Sequence, residues 1–103
     1  MAVIEKVSDI TVEDLIEYIN IPDANGNDRD ILQTLLNTAI TYVKGYTGQI
    51  DLDRYNDFVI CILVLVQDMW DTRALYVDKA NINMTVKTIM DMHSINLLPN
   101  EVY

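Results

Sequence analysis

The amino-acid sequence predicts an all-α fold, a small bundle of about four helices around one central apolar helix at residues 54–77. The nine residues of Phe58–Val66 are all apolar, and no Gly or Pro interrupts the chain between Arg54 and Tyr76. Apolar residues elsewhere recur at spacings of three and four, which is typical of one face of a helix. A helix that is apolar nearly all round has to be covered on most sides, so the other helices are expected to surround it.

The apolar stretch is too short to cross a membrane. Nine helical residues rise about 14 Å, whereas the hydrocarbon core of a bilayer is roughly 30 Å thick. The N-terminal residues contain no apolar segment of the length that a signal peptide requires. We therefore expect a protein that is made and kept in a reducing cytoplasm and has no membrane partner.

Local signals predict the first two helices. Thr11 is a candidate N-cap for a helix over residues 12–20, and an acidic residue three positions later would complete a capping box. After a loop rich in Asn, Asp and Gly, a second helix is expected from residue 28 or 29 to residue 46. Gly48 follows as its natural C-terminal stop.

The remaining boundaries come from similar signals. Asp53 is the expected cap of the central helix, and Asn83 is the expected cap of a fourth helix over residues 84–93. Residues 1–10 are predicted to form a short N-terminal arm and residues 94–103 a C-terminal tail. The whole chain of 103 residues is therefore predicted to be a single domain with one core.

Helical periodicity also predicts which residues are buried and which face a partner. The predicted core residues are Leu35, Ala39, Val43, Phe58, Ile62, Leu63, Val66 and Ile89. The last turns of the central helix alternate apolar and polar residues, and Trp, Tyr and Arg are common at binding hot spots. The candidate subunit or partner interface is therefore Trp70, Arg73, Tyr76 and Val77. Closure of the core by Trp70 is an alternative that the sequence leaves open.

Composition argues against nucleic-acid binding. The chain has 16 Asp and Glu but only 7 Lys and Arg, which gives a net charge of −9. Binding to a phosphate backbone requires clustered cations, and these are missing. The acidic balance instead favours solubility, basic partners, or a surface that repels DNA.

Residues suited to catalysis are scarce. Cys61 is the only cysteine, so neither an intrachain disulfide nor a cysteine-based metal site is expected. His93 is the only histidine, and its position near a helix end favours a packed or capping role. The three glycines form no phosphate-binding loop, and no carboxylate lies in an obviously apolar setting that would raise its pKa. We predict that the protein is not an enzyme. We also predict that it has no catalytic, cofactor-binding or metal-binding residues and uses no cofactor.

Several short segments occur in a characteristic order along the chain: Thr11–Leu15, Tyr18–Ile21, Asp30–Leu32, Leu35–Leu36, Ala39, Tyr42–Val43, Tyr46–Gly48, Ile62–Val66, Trp70, Thr72–Arg73 and Val86–Met90. This order resembles the head–tail connector family of tailed bacteriophages, the head-completion adaptors. That family has a short first helix, a compact acidic loop, a helix that ends in a Tyr-Thr-Gly-like turn, a strongly apolar helix and a short closing helix. Thr72 departs from the family pattern, in which Asn is usual.

The resemblance implies a structural role in the virion. Members of the family form a ring of about a dozen copies beneath the portal, and such a ring needs a heterologous interface. The implied partners are other copies of the chain, the phage portal protein and a tail-side completion protein, at the head–tail junction. DNA would pass through the ring without specific binding, helped by carboxylates that repel phosphates.

A second hypothesis follows from charge alone. A small acidic protein can bind a nucleic-acid-binding partner by presenting carboxylates in place of phosphates. Such a DNA mimic would need its carboxylates in one continuous stripe. Glu13, Asp28, Asp57, Asp71 and Asp91 instead belong to several separate predicted helices.

Overall fold

Four α-helices and three short 3-10 helices form the part of the chain that the computed structural model describes, residues 3–95. The α-helices are α1 (Val12–Ile19), α2 (Gly26–Thr47), α3 (Phe58–Thr72) and α4 (Met84–Met92). The 3-10 helices are Val7–Asp9, Leu52–Arg54 and Lys79–Asn81. Residues 3–95 contain no β-strand, and the predicted all-α bundle is confirmed.

The apolar helix α3 lies at the centre of the bundle. It contacts α1, α2 and α4. Phe58, Ile62 and Val66 are completely buried along its length. The other helices cover α3 because burial of its apolar surface stabilises the fold by roughly 25 cal/mol per Å².

Seven of the eight predicted core residues are buried, and they are Leu35, Ala39, Val43, Phe58, Ile62, Leu63 and Val66. Ile89 is half-buried and packs against the edge of this cluster. The N-terminal arm also contributes, because Val7 and Ile10 are buried in the same core. The arm therefore folds back onto the bundle.

The predicted start of the central helix at residue 54 is wrong. The chain first forms the 3-10 helix Leu52–Arg54, in which Leu52 is buried, and Tyr55 is then extended with φ −132°. α3 begins only at Phe58. Asp53 does not cap it, because the Asp53 carboxylate accepts hydrogen bonds from Ser8 N–H at 3.0 Å and from Ser8 Oγ–H at 2.6 Å.

The predicted end of the central helix at residue 77 is also wrong. Arg73 adopts a left-handed conformation with φ 57°, and its N–H donates to the carbonyls of Met69 and Trp70. This arrangement satisfies the last carbonyls of α3 and ends the helix at Thr72, although no Gly is present. Tyr76 and Val77 therefore lie in the connection that follows the helix.

The predicted N-caps of α1 and α4 are confirmed, because both side chains accept hydrogen bonds from backbone N–H groups. Thr11 and Asp14 form a reciprocal capping box at α1, and Asn83 accepts from two backbone N–H groups at α4. α2 begins at Gly26, two residues earlier than predicted, because Asn25 forms a second capping box with Asp28. Each box satisfies N–H groups that have no partner inside the helix.

The C-terminal ends of α2 and α4 meet at one end of the bundle. Gly48 has φ 76° and its N–H donates to the Lys44 carbonyl, so α2 stops there as predicted. Gln49 Nε2 donates to the carbonyl of His93 at 2.7 Å, and Ile95 N–H donates to the carbonyl of Thr47 at 2.7 Å. Of the predicted tail, residues 96–103 lie outside the described part.

Candidate interaction surface

The four predicted interface residues lie at the C-terminal end of α3 and in the connection that follows it. Trp70 is half-buried, and the Arg73 guanidinium carbon lies 4.6 Å from the centre of its ring. This cation–π contact fixes a cationic side chain beside an aromatic one. Trp70 therefore both packs against the core and keeps part of its ring accessible, which agrees with both interpretations of this residue.

These four residues line two adjacent grooves at the end of α3, and Met69 contributes to both grooves. Trp70 and Arg73 line an apolar groove between α2 and the end of α3, together with Ile31 and Leu75. Leu75 is 62% exposed and was missed by the sequence analysis, which placed it inside a helix and gave it no role.

Tyr76 and Val77 line the second groove, which lies between the end of α3 and the 3-10 helix Lys79–Asn81. The Tyr76 side chain is 68% exposed and Val77 is half-buried. The carboxylates of Asp68 and Asp71 line the same groove. The structure thus brings Tyr76 and Val77 together with an acidic edge, whereas Arg73 packs on Trp70 in the adjacent groove.

Asp68 contradicts one expectation. No carboxylate was expected in an apolar setting that raises its pKa. Although Asp68 is exposed, partial desolvation of its carboxylate raises its pKa above the ordinary value of an aspartate, and the neighbouring charge of Asp71 adds to the rise. Desolvation and a neighbouring negative charge both disfavour the ionised form of a carboxylate, and a nearby cation would stabilise that form.

One edge of α3 is exposed, while the other helices cover most of its sides. Ile60 is 49% exposed and Val64 is half-buried, so apolar surface faces outward along this edge. Cys61, the next residue along α3, is by contrast completely buried. A partner that covers Ile60 would bury additional apolar area.

A cluster around His93 was not predicted. The His93 Nε2 atom lies 3.0 Å and 3.1 Å from the two carboxylate oxygens of Asp57, and the imidazole stacks on Tyr55 with ring centroids 3.9 Å apart. The Phe58 ring packs against the imidazole in a T-shaped arrangement, with centroids 5.1 Å apart. His93 therefore anchors the end of α4 to the start of α3, which agrees with the predicted packing or capping role.

The only thiol is held in an unreactive state. The Cys61 Sγ lies 3.8 Å from the Val86 carbonyl, and burial raises the pKa of the thiol to about 12. Since the thiolate is the nucleophilic form, this position suppresses thiol chemistry at neutral pH. Within residues 3–95 no group of His, Cys, Asp and Glu side chains has an arrangement that could hold a metal ion.

Comparison with known proteins gives no relative. No protein-family model, curated protein sequence or solved structure matches the chain. Among the described residues, no helix has both the length and the hydropathy of a membrane span.

Proposed function

We propose that this protein is a structural adaptor of a tailed bacteriophage particle. Copies of the chain form a ring below the portal, join the DNA-filled head to the tail, and let DNA pass. The adaptor acts by binding other proteins and carries no catalytic site. The proposal rests on the resemblance to head–tail connectors, and the observation that carries it furthest is the surface at the end of α3.

That surface has the composition expected of a protein-binding site. It exposes Leu75 and Tyr76, and the Arg73 guanidinium packs over the half-buried ring of Trp70. Large apolar and aromatic side chains together with Arg are enriched at the centres of interfaces. An adaptor needs accessible surface of this kind on the isolated chain, because its interfaces with other proteins form only on assembly.

The turn that ends α2 also supports the proposal. Thr47 is completely buried, and its hydroxyl donates to the Val43 carbonyl at 2.7 Å and accepts from Gln49 N–H at 3.1 Å. Gly48 follows in the left-handed conformation. The Tyr-Thr-Gly sequence on which the resemblance depends thus has a defined structural role in this chain.

Charge mimicry of DNA has less support. Many carboxylates are engaged in local contacts and are spread over the molecule, as with Asp14 and Asp28 in capping boxes, Asp53 with Ser8, and Asp57 with His93. Glu13 is paired with Arg29. A mimic would instead present a continuous row of unengaged carboxylates.

Binding to a purified portal protein tests the proposed function. Light scattering of the portal with increasing amounts of this protein should show a complex larger than the portal alone, with saturation at a ring of bound copies. Particles assembled without the protein should contain DNA-filled heads without joined tails, and adding the protein back should restore joining. Absence of portal binding, or normal joining without the protein, would contradict the proposal. So would recovery of a host DNA-binding enzyme as the sole partner.

A further inference from the structure

The groove beside Tyr76 has an apolar floor. Leu65, Met69, Val77 and Ile82 contribute to its lining, and it encloses about 240 Å³. This space accommodates one long side chain.

The charged residues that line this groove are all carboxylates, Asp68, Asp71 and Asp78. Asp78 is already engaged, because its carboxylate accepts from Ala80 N–H at 3.2 Å and from the Asn81 side-chain amide at 3.0 Å. Asp68 and Asp71 form no ion pair with any residue in the range 3–95. Two carboxylates at the edge of an apolar groove therefore lack a cationic partner within the described chain.

We propose that this groove binds an arginine side chain presented by a different protein of the assembly. The inference deepens the proposed adaptor function, on which it rests, by stating what the partner contributes at this surface. The methylene groups of the arginine pack against Met69 and Val77. Its guanidinium then lies between Asp68 and Asp71.

Both parts of the arginine side chain match the groove. Long cationic side chains bury their aliphatic stems on apolar surface while the charged end remains at the edge. A guanidinium has several N–H donors in a fixed plane, so it can bond to two carboxylates at once and also stack on an aromatic ring such as that of Tyr76. Insertion of a cation also relieves the repulsion that Asp71 exerts on Asp68.

A pair of short peptides tests this inference without any knowledge of the partner. The first is acetyl-Gly-Leu-Arg-Leu-Gly-amide, and the second has citrulline, an uncharged isostere, in place of Arg. Each is titrated into the full-length protein at low salt, and backbone amide shifts are followed by NMR. We expect the shifts to concentrate around Met69 and Val77, and the Arg peptide to bind at least about tenfold more tightly, as for a charge-assisted hydrogen bond.

Two matched variants separate a local effect from a general effect of charge. Asp68→Asn combined with Asp71→Asn should remove the preference for the Arg peptide. Asp23→Asn combined with Asp30→Asn changes the net charge equally, outside the groove, and should retain the preference. Equal binding of both peptides, no shifts at millimolar concentration, shifts located elsewhere, or equal losses in both variants would overturn the inference.

The source of the arginine is tested separately, by sedimentation of the protein alone. Self-association that is abolished both by Arg73→Gln and by the Asp68 and Asp71 double variant would show that a second copy supplies the cation, which overturns assignment to a different protein. Portal binding by the unmodified chain decides the adaptor function independently. If the portal binds but the groove shows no preference for arginine, only the further inference fails.

Discussion

Leu63 and Ile60 lie three residues apart on α3 but differ strongly in exposure, at 8% and 49%. Leu63→Asp should destabilise the protein by about 4 kcal/mol or more, because it places an unpaired carboxylate in the core. That loss is a large part of the roughly 5–15 kcal/mol that stabilises a typical domain. Chemical denaturation followed by circular dichroism measures it.

Ile60→Asp is the matched control on the same helix. The new carboxylate can reach water at this position, so the expected loss is about 1 kcal/mol or less. A Leu63→Asp variant that melts like the unmodified protein would show that α3 is not the core helix. Equal losses in both variants would show that the edge of α3 at Ile60 is covered.

Tyr46 and Asp91 form a contact whose strength should depend on pH. The Tyr46 hydroxyl donates to Asp91 Oδ1 at 2.5 Å. This hydrogen bond, assisted by Lys87 and opposed by burial, holds the pKa of Asp91 below its ordinary value. A carboxylate with a lowered folded-state pKa contributes stability above its unfolded pKa, and that contribution is lost as the pH falls through the folded-state pKa.

Tyr46→Phe should therefore destabilise the protein at pH 7 by about 1 kcal/mol, with little difference at a pH below the folded-state pKa of Asp91. Urea titrations of both proteins between pH 7 and pH 2 measure the difference. Tyr42→Phe is the control, since Tyr42 lies one turn earlier on α2 with its ring 6.0 Å from that of Tyr46. A difference that stays constant down to acidic pH would refute the assignment to Asp91.

At the scale of helices, the two glycines near the end of α2 should respond in opposite directions. Gly48 has a left-handed φ of 76°, so Gly48→Ala should cost about 1 kcal/mol. Gly45 lies inside the helix, and apart from its chain neighbours and the backbone of its own helical turns no described atom lies within 4 Å of the position of an added Cβ. Gly45→Ala should therefore stabilise the protein by up to about 1 kcal/mol. Thermal melting of the two variants tests both signs, and shifts in the same direction would contradict this description of the turn.

Helix caps could be predicted because their partners are close in sequence. The Thr11 and Asp14 capping box joins residues only three positions apart, and Asn83 likewise bonds to N–H groups within three residues. The ends of α3 could not be predicted in this way. Its start depends on burial of Leu52, and its end depends on a left-handed Arg73, a conformation for which sequence patterns normally rely on Gly.

At the scale of the whole molecule, the central position of the apolar helix followed from the distribution of hydrophobic residues. The polar contacts that join distant parts of the chain could not be predicted in this way. His93 and Asp57 are 36 positions apart, and Ser8 and Asp53 are 45 apart. A single sequence contains no local signal that pairs such residues. For the same reason, the four predicted interface residues could not be divided between two grooves before the helix end at Thr72 was known.

Trp70→Ala tests whether assembly depends on the surface at the end of α3. Because the ring is only half-buried, the variant should fold while binding to the portal is reduced at least about tenfold, as for a hot-spot residue. Tyr18→Ala is a matched control, since Tyr18 is an aromatic residue of α1 that is 37% exposed. Loss of the folded monomer would assign Trp70 to the core, and unchanged portal binding would exclude it from the interface.

The contact between Trp70 and Arg73 has a practical consequence for spectroscopy. Trp70 is the only tryptophan in the chain, so its fluorescence emission reports on this single location when it is excited at a wavelength that the six tyrosines barely absorb. A partner that covers the half-exposed ring would move the emission to shorter wavelength, and displacement of the guanidinium from the ring would change its intensity. The protein thus contains an intrinsic optical probe at the surface where we expect binding, and assembly can be followed in real time without a label.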